Sequence, residues 1–521
     1  MIYRKRLALT AAVALALLMA CSPKPYPVAE KSMTELSADF AAGKVTSEAI
    51  TAAYIARIKS TEAKKVNAIL ALNPKALDEA KAADQRHAAG KSLGPLDGMP
   101  ILLKDNIDSA GMVTTAGSLA LKDNVPLRDS PMVKRLKDAG MVILGKTNLS
   151  EWANFRSNYS TAGWTGVAGL TRNPYDLART ASGSSSGSGA ATAMSLAAVA
   201  IGTETSGSVV TPANVNGIVG LKPTVGLVSR TGIVPISHNQ DTAGPMTRTV
   251  ADNAALLTAM AGSDPADAAT ADADAHKADY VKGLNPDSLK GTRIGVMRFQ
   301  KGFTPKTAAV YEAALEALKA QGAVLVDIAD FKFADLSKYG QIISNTDFKQ
   351  DVNAYLVNAP AAVKTRTLTD LIAFNTAMPR ELLVFGQDRW EAAEATTGFD
   401  DPLYKEAVEV SQRSLGPEGI DKMLKDYDVV ALIQPTGEPA SLIDSATNLR
   451  AVGGPGAAAV PAIAGYPHLT VPMGNVAGLP VGLSFIGHKW SEQTLLSLGY
   501  AFEQATHARR PPDGKAGKME F

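Results

Sequence analysis

Thr180-Ala181-Ser182-Gly183-Ser184-Ser185-Ser186-Gly187-Ser188 is followed, after an alanine-rich stretch, by Gly202-Thr203-Glu204-Thr205-Ser206-Gly207-Ser208-Val209-Val210-Thr211-Pro212-Ala213. A glycine-serine run in polar surroundings reads as a linker. This one passes directly into a helical stretch from residue 190 and then the apolar run Ala198 to Ile201, so it belongs inside a folded body. The second segment leaves that strand through small residues. Such a sequence suits a tight turn whose successive N–H groups face one point and hold a developing oxyanion. Hydroxyls are abundant beside this turn, and what they lack is a base. Lys104 closes the apolar run Pro100-Ile101-Leu102-Leu103, which carries an amine to the end of a buried strand. A strand-end lysine ordinarily reaches for solvent. Kept dry beside a hydroxyl, it favours the neutral amine and becomes a base near neutral pH.

Working outward, short apolar runs at Ala68–Leu72, Met141–Leu144, Arg293–Met297, Ala323–Val326 and Val429–Ile433 read as buried strands. Helix signals alternate with them: a capping box at Ser32 to Glu35, and Asn73-Pro74 opening a helix that Gly90 closes. This alternation is that of an α/β protein. No repeat of 20 to 50 residues is present. The Asp- and Ala-rich stretch Gly262–Tyr280 reads as a surface excursion, and residues 330–425 as a helical insertion in one domain spanning 31–506.

The glycine-serine block, the G-T-E-T-S-G-S segment and Gly220-Leu221-Lys222-Pro223-Thr224 together closely resemble the amidase signature family, over nearly all of residues 30–510. Ser184 and Ser208 are 24 positions apart, as the family's bridging serine and nucleophile are, and Lys104-Asp105-Asn106 matches its lysine context. Gly145–Arg156 and Gln240–Met246 are most similar to the bacterial peptide amidase branch, which removes the C-terminal amide of peptides. The resemblance implies a large, mixed, twisted β-sheet covered by helices on both faces. It also implies a catalytic trio of Lys104, Ser184 and Ser208, with the N–H groups of Thr205, Ser206, Gly207 and Ser208 receiving the oxyanion, and a cis bond at Gly183-Ser184. Lys104 then takes a proton from Ser184 as Ser184 takes one from Ser208, which attacks the amide to form an acyl-enzyme and release ammonia. No cofactor and no metal enter this scheme. The chain departs from the commoner family pattern at Ala181, Ser182, Glu204, Ser206 and Val210, where Pro, Gly, Asp, Gly and Arg are usual. Losing the arginine disfavours substrates held by a free carboxylate and weakens the case for a component of a glutamine-dependent amidotransferase. Phe385-Gly386-Gln387 also resembles the peptide amidase pattern, although a packing role serves it equally well.

Other motifs compete. Gly140–Thr147 satisfies the phosphate-loop pattern, yet its spacers Met-Val-Ile-Leu form an apolar strand and not an anion cradle. Gly183-Ser184-Ser185-Ser186-Gly187 fits an esterase elbow with Ser185 as nucleophile and His468, His488 or His507 as base. The preceding residues 172–182 are too polar and turn-rich to be the elbow's strand. The six histidines show no paired metal-ligand spacing. The readings left beside a peptide amidase are an esterase, an aryl or acyl amidase of broader specificity, and a non-catalytic binding lipoprotein with the same fold.

The ends of the chain speak to location. Arg4, Lys5 and Arg6 precede an apolar run from Leu7 to Ala20, a signal peptide rather than a span. Leu18-Met19-Ala20-Cys21 resembles a lipobox, and Cys21 is the only cysteine, so it is the expected lipid attachment site of a periplasmic lipoprotein. Residues 21–30, with proline at alternate positions from Pro23 to Pro27, form a spacer, and residues 507–521 a loose tail. Without residues 1–20 the chain carries 49 basic against 51 acidic side chains and no charge run, which excludes nucleic acid as a partner. The expected partners are a small amide or peptide-amide substrate and, through Cys21, a membrane, with no obligate protein partner.

Overall fold

Residues 25–443 and 455–513 are described by the computed structural model; the expected signal peptide, Cys21, Gly453-Gly454 and residues 514–521 lie outside them. One sheet holds eleven strands among the described residues: β1 Ile69–Leu72, β2 Pro100–Lys104, β3 Val142–Thr147, β4 Val199–Glu204, β5 Val219–Lys222, β6 Thr242–Thr247, β7 Arg293–Met297, β8 Val324–Ile328, β9 Ala431–Pro435, β10 His468–Val476 and β11 Leu479–Ile486. Their order is β1-β3-β2-β4-β6-β5-β10-β11-β9-β7-β8. The steps β3-β2-β4 and β9-β7-β8 are parallel and the rest antiparallel, so the sheet is mixed and flanked by helices. Every residue of β2, β3 and β4 is buried, as expected of strands covered on both faces. This explains why they read as unbroken apolar runs. It also disposes of the phosphate loop: its spacers are β3, and Lys146 is buried with its amine 3.3 Å from an Asp105 carboxylate oxygen.

β2 and β4 run parallel with Leu103 opposite Ile201, so their carboxyl ends reach the same edge of the sheet. Ligand sites of such sheets lie at those ends. The glycine-serine block becomes the helix Ser186–Ala193, all of it small and buried. Small side chains are required here, because a Cβ on Gly187 would stand 2.4 Å from the carbonyls of Ala68 and Asn148.

The helix Met33–Ala41 has the expected capping box between Ser32 and Glu35. The second helix signal is displaced: Asn73 holds the Lys75 N–H at 2.9 Å and the helix begins only at Ala76. Helices Ile342–Val357, Leu368–Ala377 and Asp388–Glu394 build a layer with its own apolar cluster, and Pro402–Leu415 packs against Ile342–Val357. Trp152 and Phe155, from the loop after β3, are part of that cluster, Trp152 lying edge-on to Trp390. The tail differs from the loose segment expected from residue 507. Arg509 pairs with Glu30 and the Arg510 carbonyl accepts the Tyr175 hydroxyl, so the chain stays tied to the body through residue 510.

Candidate active site

Lys104 ends β2 with its side chain fully buried. Its amine lies 2.7 Å from Ser184 Oγ, 2.8 Å from Thr203 Oγ1 and 3.3 Å from the Thr203 carbonyl oxygen. Burial pulls its pKa down to about 7, against the smaller opposing pull of Asp241 and Glu204. The amine is therefore available as a base near neutrality.

The two serine-bearing segments are locked together. The Gly183-Ser184 peptide is cis, as expected from the resemblance. The Ser185 N–H donates to the Ser208 carbonyl at 3.2 Å, the Thr211 hydroxyl to the Gly183 carbonyl at 3.3 Å, and the Ser150 N–H to the Ser184 carbonyl at 2.9 Å. Glu204, at the end of β4, accepts the N–H groups of Val209 (2.8 Å) and Val210 (3.1 Å) through one oxygen, which caps the helix Val210–Val215 behind the turn that carries Ser208. The glutamate in place of aspartate is thus used structurally. Val210, in place of arginine, is buried and presents no cation.

Thr205, Ser206, Gly207 and Ser208 line a cleft of about 660 Å³ together with Ser182 and Gly183. Gly207 has φ +82°, the left-handed conformation that lets the turn close without a Cβ penalty. Ser208 is 7% exposed, to this cleft, whereas Ser184 is fully covered beneath it. Among the described residues no hydrogen bond joins the two hydroxyls. Leu336, Tyr339, Ile343 and residues 436–443 also line the cleft. Phe385 does not reach the cleft; its ring covers the Arg156 guanidinium at 4.1 Å and meets Trp164, the packing role.

Ser185 is elsewhere. Its hydroxyl is buried, donating to the Thr203 carbonyl at 3.0 Å and accepting the Thr203 N–H at 3.2 Å. The histidines offered to it are remote: His468 Nε2 lies 2.6 Å from Ser484 Oγ, with burial lowering the ring's pKa to about 3. His488 Nδ1 faces its neighbour's carbonyl at Lys489, and His507 caps the helix Glu492–Thr506. The elbow triad is not assembled. Thr203 is the residue that sequence reasoning missed. No signal in the linear sequence marked it, since a strand-end threonine is ordinary until the fold brings the Lys104 amine beside it.

The amidase family pattern matches residues 49–496. A probable amidase of Arabidopsis thaliana is 36% identical over 94% of this chain and 92% of its own length. A glutamyl-tRNA(Gln) amidotransferase subunit of Moorella thermoacetica is 35% identical, covering 91% of this chain and 96% of its own. Among solved structures, the native peptide amidase of Stenotrophomonas maltophilia superposes with a TM-score of 0.88 at 46% identity, over 94% of this chain and all of that one. On these likenesses, the chain belongs to the amidase signature family and is a hydrolase acting on amides.

Proposed function

We propose that this amidase hydrolyses C-terminal amides of peptides through a Lys104–Ser184–Ser208 relay. The observation that carries the reading is the buried Lys104 amine 2.7 Å from Ser184 Oγ, under a cleft that exposes Ser208. Lys104 in its amine form takes the Ser184 proton as Ser184 takes that of Ser208, and Ser208 Oγ bonds to the amide carbon. The carbonyl oxygen gains the negative charge and is met by N–H groups of Thr205 to Ser208, each worth about 3 kcal/mol of barrier. The C–N bond then breaks as the relay returns a proton to nitrogen, and ammonia leaves. Water adds to the acyl-Ser208 ester with the same proton transfers reversed, releasing the carboxylic acid.

A peptide amide is favoured by the likeness to the Stenotrophomonas enzyme and by a cleft large enough for more than a lone amino acid amide. A terminal carboxamide is uncharged, and position 210 offers no cation for a carboxylate. The test is ammonia release from amidated peptides, free amino acid amides and aryl amides. Amidated peptides are expected to give the highest kcat/KM and Ser208→Ala none. Preference for aryl amides would replace this substrate, and an active Ser208→Ala would overturn the mechanism. For location, the signal segment and lipobox support a periplasmic lipoprotein anchored at Cys21. Cys21→Ser is expected to move the enzyme from the membrane fraction to the soluble one, and unchanged membrane recovery would contradict the anchor.

A further inference from the structure

The motif Gln240-Asp241 takes no part in the relay, yet it grips the nucleophile turn at a single residue. Asp241 is buried. Its Oδ1 accepts the Thr205 hydroxyl at 2.5 Å, and its Oδ2 accepts the N–H groups of Ile236 (2.7 Å) and Ser237 (3.0 Å). Gln240 Nε2 donates to the Thr205 carbonyl at 3.2 Å. Thr205 is thereby held by side chain and backbone from two consecutive residues.

The turn needs such a hold. Thr205 and Ile236 line the substrate cleft and also a second cavity of about 300 Å³ that reaches Asp241, so space lies on more than one side of the turn. A wall between two spaces is fixed less by packing than by its hydrogen bonds. The hold also extends to the helical layer. The Ser237 hydroxyl donates to Asp347, and the His238 N–H to Asp351 at 2.8 Å, both on the helix Ile342–Val357 that contributes Ile343 to the cleft.

We propose that Asp241, assisted by Gln240, is a positioning residue for catalysis: it fixes Thr205 so that the N–H row of the turn stays aimed at the carbonyl oxygen. The role rests on the serine-lysine reading above. Asp241 has a second consequence through its charge. Asp241 and Glu204 on β4 both favour the protonated form of Lys104 on β2, while burial, with Asp351 adding to it, holds the Asp241 carboxyl itself up at about 6. Arg230 and His238 also face the cavity that Asp241 lines. Removing the Asp241 charge lets Lys104 lose its proton at lower pH.

The experiment measures ammonia release from an amidated peptide by wild type, Asp241→Asn, Thr205→Val and the double variant, across pH and with melting temperatures. Each single change is expected to lower kcat roughly 10- to 100-fold with KM within about twofold. The double variant is expected to lose no more than the more impaired single variant, because one contact is shared. The rising limb of kcat/KM is expected to move to lower pH in Asp241→Asn and to stay in place in Thr205→Val. Undiminished kcat in either single variant, a multiplicative double, or an unmoved limb in Asp241→Asn overturns the role. Should Asp241→Asn fail to fold, the kcat and KM of Thr205→Val decide it. A wild type that releases no ammonia brings down the underlying reading with it, whereas an active wild type with undiminished variants brings down the positioning role alone.

Discussion

Around the Lys104 amine the count of hydrogen-bonding groups is telling. A neutral amine has two N–H groups and one lone pair. Thr203 supplies two acceptors, its hydroxyl at 2.8 Å and its carbonyl at 3.3 Å, which leaves the lone pair for the Ser184 hydroxyl. Thr203 thus sets the direction in which the amine's lone pair points. With Lys104 titrating at about 7, the amine form fills as pH rises through neutrality, so kcat/KM is expected to climb across that range and level off above it. Stability carries the same sign. Between about 7 and the ordinary lysine value of 10.5 the unfolded chain binds a proton that the folded one does not, so stability rises with pH across that window. The urea midpoint is expected to increase over it in wild type, and to increase less in Lys104→Met. Ser185→Ala, by contrast, strands a buried Thr203 N–H, and about 1–3 kcal/mol of stability is expected to go while labelling of Ser208 by a fluorophosphonate survives. At this scale it was the resemblance to the family's motifs that singled out Lys104, Ser184 and Ser208 in the sequence. Thr203 and Asp241 stayed hidden, since nothing in a linear string shows which of many hydroxyls and carboxylates turn toward one amine or one turn.

Elements were legible where burial was two-sided. β2, β3 and β4 read directly as apolar runs, and β7 and β9 likewise, whereas the edge strand β8 is only partly buried and was legible only through the run Ala323–Val326. β6 carries Gly244 and Pro245, and β10 shifts register between Pro472 and Gly474; such residues interrupt the pattern that marks a strand. The helix Ser186–Ala193 was obscured for another reason. Its glycines and serines look like a loop, but they are selected by closeness, Gly187 lying against the carbonyls of Ala68 and Asn148. Gly187→Ala is expected to cost about 1–3 kcal/mol as the helix is pushed from the sheet. Because Ser184 lies only two residues before this helix, activity should fall as well, and thermal melting together with ammonia release checks both.

Across the whole molecule, the sheet carries the proposed relay and the helical layer lines the cleft, and the two are joined by a dry ionic cluster. Arg156 Nη1 lies 2.9 Å from Glu151 and 3.4 Å from Glu381, all three side chains fully buried. Burial holds the Glu151 pKa well above the usual carboxylate range, so one cation suffices for two carboxyls. Arg156→Met leaves these carboxyls without their cation, and a loss of about 3–5 kcal/mol is expected in urea denaturation. A surface pair such as Lys134–Asp138 has little to give, and Lys134→Ala is expected to change stability by less than about 1 kcal/mol. The sequence announced an insertion at 330–425 but not this seam, because Glu151 and Glu381 are far apart in the chain and meet only through the fold. The central claim remains the flow of basicity from a dry amine to Ser208. Its most direct measurement is the rate at which a fluorophosphonate labels the enzyme as a function of pH, with the labelled residue found by mass spectrometry. Labelling confined to Ser208, rising through a single ionisation near pH 7 and lost in Lys104→Met, is the expected result; a flat profile from pH 5 to 9 on the Lys104→Met and wild-type enzymes alike, or a label on Ser185, would contradict it.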